Sequence, residues 1–127
     1  MSSDPVLAFL RRRGLADEIV AGGVEGLVAR WEQAAREAER DPYPFGVEDW
    51  LDELDVRQTL HELHGELPGA IAGADAARLA EADARVIACT ALQSDCLWGA
   101  SLAARMRWQP AIEWWYWRRP RAVNEDF

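Results

Sequence analysis

The sequence predicts an all-α fold: an irregular bundle of four to six helices with an extended aromatic C-terminal arm. Three observations carry that expectation. Apolar residues recur at helical spacing through most of residues 1–109. Capping and helix-stopping residues, among them Asp4-Pro5, Gly14, Gly22-Gly23, Pro42, Pro44 and Asp75, punctuate the chain at short intervals. After Pro110 the character changes to Ala-Ile-Glu-Trp-Trp-Tyr-Trp-Arg-Arg-Pro-Arg, an aromatic run that favours extended structure and is stopped from long helix by Pro120. A chain of 127 residues, half of them hydrophobic, fits a single helical domain over 1–127, with 110–127 as arm and frayed tail.

The first helix is expected to start at Ser3-Asp4-Pro5, a capping side chain followed by proline. Val6, Leu7, Phe9 and Leu10 are its apolar face, Arg11, Arg12 and Arg13 suit its C-terminal dipole, and Gly14 ends it. The three arginines are expected to be a solvated helix end. A turn or two of helix over 15–20 precedes Gly22-Gly23. A stronger helix follows over 23–40, with Val24, Leu27, Val28, Trp31, Ala35 and Ala38 on one face.

Residues 41–67 are expected to be central to the fold. In Asp-Pro-Tyr-Pro-Phe-Gly the prolines force a turn, and Tyr43 and Phe45 can pin it to a core. Helix then starts near Val47. Val47, Trp50, Leu51 and Leu54 share one face, while Val56, Leu60, Leu63 and Leu67 fall on nearly the opposite one. Either one helix is covered on both sides or the helix breaks at Leu54-Asp55. The loose capping box from Asp55 to Gln58 favours the break.

The next helix is expected to run from Asp75 to about Leu92, with Leu79, Val86, Ile87 and Thr90 inward. Asp83 lies on that same face, where an unpaired carboxylate costs several kcal/mol. A structural ion pair is expected there, with Arg57 the favoured partner over Arg85 and Arg30. Trp98, Leu102 and Met106 recur at i, i+4, i+8 and predict one more short helix.

All fourteen basic residues are arginine, the codon bias of a GC-rich, bacterial genome. Cys89 and Cys96 would sit about 10 Å apart along one helix, too far for a disulfide, so free thiols are expected. With no leader pattern and no run of 18 apolar residues, no membrane association and a cytoplasmic location are expected. Charge is uneven: residues 41–96 hold three arginines against twelve acids, whereas residues 97–127 hold five against three. An acidic body of this kind repels phosphate and argues against general nucleic-acid binding.

No stretch carries a catalytic motif, no catalytic residue is nominated and no cofactor is expected. The serines and cysteines lack the flanking elements that activate a nucleophile. His61 and His64 share a helical face at i, i+3 and are the metal candidates, although zinc-peptidase helices space their histidines four apart. Trp114, Trp115, Trp117, Arg118, Arg119 and Arg121 have the composition of interface hot spots and are the partner-binding candidates. An arm docked on its own acidic body is the simpler outcome for them. The expected function is a non-enzymatic acidic interaction module that neutralises or regulates a basic protein, as an immunity protein or antitoxin does. The alternative is a small metal-dependent enzyme built on His61, His64 and nearby carboxylates.

Overall fold

The structure, a computed structural model, describes residues 4–127; Ser3, expected at the first helix start, lies outside them. Five α-helices and one two-stranded sheet follow in the order α1 (Pro5–Arg12), α2 (Asp17–Ala38), α3 (Val47–Glu66), α4 (Gly73–Cys89), β1 (Thr90–Leu92), α5 (Ala100–Met106), a 3₁₀ turn (Trp114–Trp117) and β2 (Arg118–Pro120). The fold is all-α with a C-terminal aromatic cluster, and its buried side chains form one hydrophobic cluster.

Local chemistry accounts for the helix ends. Asp4 caps α1 by accepting from the Val6 and Leu7 amides, with Pro5 as first helical residue. α2 is kinked at Gly23, whose φ of 60° and ψ of −152° interrupt the helix between its short N-terminal part and the stronger amphipathic part. Asp49 accepts from the Gly46 amide and closes the first turn of α3.

α2 is the hub, touching α1, α3 and α4. Arg78 pairs with Glu32 and Arg85 with Glu39, each across 46 residues. That equal offset means α2 and α4 run in the same direction, with α3 returning between them in sequence. At the other end, Arg12 pairs with Glu66 and Arg13 with Glu62. Arg11 and Arg12 are exposed, as expected of a solvated helix end, while the part-buried Arg13 ties the end of α1 to Glu62 and Thr59 of α3.

α3 does not break at Leu54-Asp55. It is one helix covered on both sides: Trp50, Leu51 and Leu54 are buried on one face, and Val56, Leu60 and Leu63 on the other. Asp55 is not needed as a cap because its carboxylate accepts from the Tyr116 hydroxyl at 2.7 Å and from Trp98 Nε1 at 3.2 Å.

Three further expectations are corrected. α4 ends at Cys89, and Thr90–Leu92 turn into a strand paired antiparallel with Arg118–Pro120, while Ile87 faces outward. The short helix expected from Trp98, Leu102 and Met106 is present as α5, which starts after Gly99 (φ 98°) and buries Ala103. The aromatic run is a 3₁₀ turn and extension is confined to β2, so Trp115, Tyr116 and Trp117 are all buried while Ile112 is 49% exposed. A strand would have turned alternate aromatics to solvent, whereas the turn buries three in succession. The tail is docked and not frayed. The Tyr43 amide donates to the Ala122 carbonyl at 2.8 Å, Asn124 donates to the Tyr43 carbonyl, and Phe127 packs edge-on against the Tyr43 ring.

Candidate functional site

The ion-pair residues come together where α3 and α4 face each other. Arg57 donates to both oxygens of Asp83, at 2.8 and 3.0 Å, and Trp31 Nε1 donates to Asp83 Oδ1 at 2.8 Å. The guanidinium lies 4.4 Å from the Trp115 ring, so the pair is sheltered from three helices and the aromatic turn. Arg85 and Arg30, the other candidate partners, are elsewhere: Arg85 on Glu39, and Arg30 beside an acidic recess.

Beside this pair is a groove of about 240 Å³, with Leu60, Ile71 and Leu79 as apolar wall and His61 and His64 among its polar lining. His61 Nε2 lies 3.3 Å from Glu113 Oε2, and its ring meets Trp115 edge-on. Asp83, the carboxylate nearest to completing a metal set in this groove, is already held by three N–H donors. Among the described residues no group of three or more His, Cys, Asp or Glu side chains is placed to hold a metal ion.

The aromatic and basic candidates of the C-terminal segment are used internally. Trp115 and Trp117 are buried and Trp114 is half-buried. Arg118 donates to the carbonyls of Ile87 and Thr90, and Arg121 to that of Thr90, so both cap the C-terminal end of α4. Arg119 lies over the Phe127 ring. The segment thus docks on the body as expected, although among the described residues none of the three forms an ion pair with a carboxylate.

The surface most distinctive in its chemistry is a recess of about 340 Å³ between the C-terminal half of α2, the Tyr43 turn and the N-terminal half of α3. Asp49, Asp52 and Glu53 line it from α3, Glu37 and Arg30 from α2, and Tyr43 and Phe45 from the turn. Burial pushes the Glu53 carboxyl up to about 7, with Glu37, Asp52 and Asp49 adding to the rise and Arg30 opposing it. Tyr43 is fully buried, yet its hydroxyl has no hydrogen-bond partner among the described residues. Burial holds that hydroxyl above its usual range, and the charges of Glu53, Glu37 and Asp49 push it further.

The ion pairs of the bundle use acids outside the recess. Arg12 and Arg13 neutralise the C-terminal half of α3, and Arg78 and Arg85 neutralise Glu32 and Glu39. Among the described residues none of the recess carboxylates has a salt-bridge partner. In the sequence Tyr43 reads as an apolar pin for the turn. The spacing of Asp49, Asp52 and Glu53 at i, i+3, i+4 was the available signal; the approach of Glu37 and Tyr43 is tertiary. Compared with protein-family models, curated proteins and solved structures, the chain matches none.

Proposed function

We propose that this protein is a non-enzymatic interaction module that binds a basic protein partner through the acidic face around the Glu53 recess, neutralising or regulating it in the manner of an immunity protein or antitoxin. The observation that carries this is the distribution of compensated charge. Arg12, Arg13, Arg57, Arg78 and Arg85 are spent on internal ion pairs and Arg118 and Arg121 on the end of α4, while among the described residues Glu37, Asp49, Asp52 and Glu53 gather in one recess without a salt-bridge partner. A concentrated field of one sign steers and orients an oppositely charged partner. The docking surface thus moves from the C-terminal aromatics, which are consumed by the core, to the opposite charge at the start of α3.

The test is capture from a lysate of the source organism with the wild-type chain and with the charge-reversed pair Glu37→Arg/Asp52→Arg. A basic protein held by the wild type at low salt, and lost from the reversed pair while retained by Asp17→Arg/Glu18→Arg, is expected. Equal retention by all three, or a captured partner of acidic charge, overturns the proposal. The metal-dependent alternative has His61 and His64 on one groove in its favour. Stoichiometric zinc, iron or manganese in purified protein, lost on replacing both histidines, would decide for it.

A further inference from the structure

We propose that the recess between α2 and α3 is a socket for one arginine side chain of the basic partner, with Glu53, Glu37 and Asp52 as acceptors and the buried Tyr43 in its wall. The inference rests on the interaction reading above and adds to it a site and a residue type.

An acidic cluster alone would say little, because carboxylates on a helix are ordinarily just hydrated. What singles out this one is the Tyr43 hydroxyl. It is closed to bulk solvent, without a partner, and belongs to a residue that lines the recess, with Glu53 and Glu37 the charges that act on it most. A hydroxyl has two lone pairs and one proton, and leaving it unpaired in a buried position costs about 1–3 kcal/mol. A donor arriving between it and the carboxylates removes that penalty.

The lining favours guanidinium over ammonium. Its acceptors come from different elements, α2, α3 and the turn, so a planar group with five divergent N–H donors can reach several of them together. Phe45 is 46% exposed at the edge, with its ring edge-on to Tyr43 at 5.8 Å, and offers a face on which a guanidinium stacks. Guanidinium is also the more weakly hydrated cation and loses less on entering a half-closed site.

Among the described residues Arg30 is the one cation that lines the recess. It forms no ion pair among the described residues, yet its charge pulls the Glu53 carboxyl down against burial. It is therefore a competitor of the incoming arginine, and removing it should tighten binding. The groups that face Glu53 are Arg30 and Glu37 from α2, Asp49 and Asp52 from α3, and Tyr43 from the turn.

The test uses the full chain and N-acetyl-arginine methylamide as probe, followed by NMR at the Phe45 and Tyr43 rings, with the lysine analogue in parallel. Expected are millimolar binding of the arginine probe, a loss of about fivefold or more in Glu53→Gln and in Tyr43→Phe, and a gain of about twofold or more in Arg30→Gln. Affinity should also be about tenfold higher at about pH 8 than at about pH 6, as Glu53 ionises. Asp17→Asn, remote from the recess, should bind as the wild type does, and thermal melts of each variant check that it is folded. No arginine binding, binding indifferent to Glu53→Gln, or equal binding of the lysine probe overturns the socket. Binding that appears only in Arg30→Gln also overturns it, since Arg30 would then be the occupant. The parent reading fails separately: capture that still depends on Glu37 and Asp52 while the probe does not bind leaves the acidic face standing and removes only the socket.

Discussion

Asp83 and Glu53 are two carboxylates on a half-buried helix face, and the fold treats them in opposite ways. Asp83 is held by Arg57 in a two-point pair and by Trp31, with side-chain exposures of 12% for Arg57 and 20% for Asp83. Asp83→Ala should destabilise the fold by about 3–5 kcal/mol in urea melts, because a sheltered guanidinium and an indole N–H are left unpaired. Replacing both partners with leucine should cost clearly less than that. A single-variant loss within about 0.5 kcal/mol of zero would show that the pair is effectively solvated. Glu53 has no such partner and pays for its burial in protonation. Its carboxyl is raised from 4.5 to about 7, so between those values the folded state binds a proton that the unfolded state does not. Stability from this group is therefore present below about pH 4.5 and lost as pH rises to about 7. Glu53→Gln should remove that dependence and be more stable than the wild type at about pH 8, by up to about 3 kcal/mol, with little difference near pH 4.5. A wild-type and variant pair with parallel pH–stability curves would contradict the burial of Glu53.

At the scale of elements, α3 and α2 show two ways in which a helix departs from a simple amphipathic stripe. α3 carries buried leucines on opposite faces, so Leu51→Ala and Leu60→Ala should each cost about 2–5 kcal/mol despite pointing in opposite directions. Near-neutrality of either would mean that one side of α3 is open. α2 departs by its kink at Gly23, where positive φ is reached without a Cβ clash. A Cβ there would meet nothing within 4 Å, so the cost of Gly23→Ala is conformational and should be about 1–2 kcal/mol. Gly26→Ala, three residues on in regular helix and equally uncrowded, should be neutral or stabilising, and thermal melts of the two compare them directly.

At the scale of the molecule, the C-terminal segment acts as a clasp. Gln93 and Leu97 donate to the carbonyls of Trp117 and Tyr116, Trp50 Nε1 donates to the Arg118 carbonyl, and the tail crosses to Tyr43. Its arginines bond to carbonyls at the end of α4 and stack on Phe127, and salt screens such contacts far less than it screens exposed ion pairs. Amide exchange at Gln93 and Leu97 should therefore be slow at both low and high ionic strength. Protection that collapses on adding salt would mean that the segment is held by long-range attraction to the acidic body. The same architecture gathers Glu37, Asp49, Asp52 and Glu53 at one recess, while the pairs that knit α1 to α3 and α2 to α4 use other acids.

Local chemistry by itself determined the helical class, the Asp4-Pro5 start, the weakness at Gly22-Gly23 and the Pro-flanked turn, because caps, prolines and period depend on neighbours in sequence. It also placed Asp83 on an inward face and left Arg57 as the favoured partner, since a carboxylate among apolar residues must be answered by a cation. What tertiary structure decided was how ambiguous stretches were resolved. α3 stayed whole because cover arrived on both sides and Tyr116 and Trp98 took the carboxylate that would have capped a break. The aromatic run turned tightly because three consecutive rings found space inside. The recess exists because Glu37, Tyr43 and Glu53 meet from three elements, and no pattern along the chain encodes how closely separate elements approach.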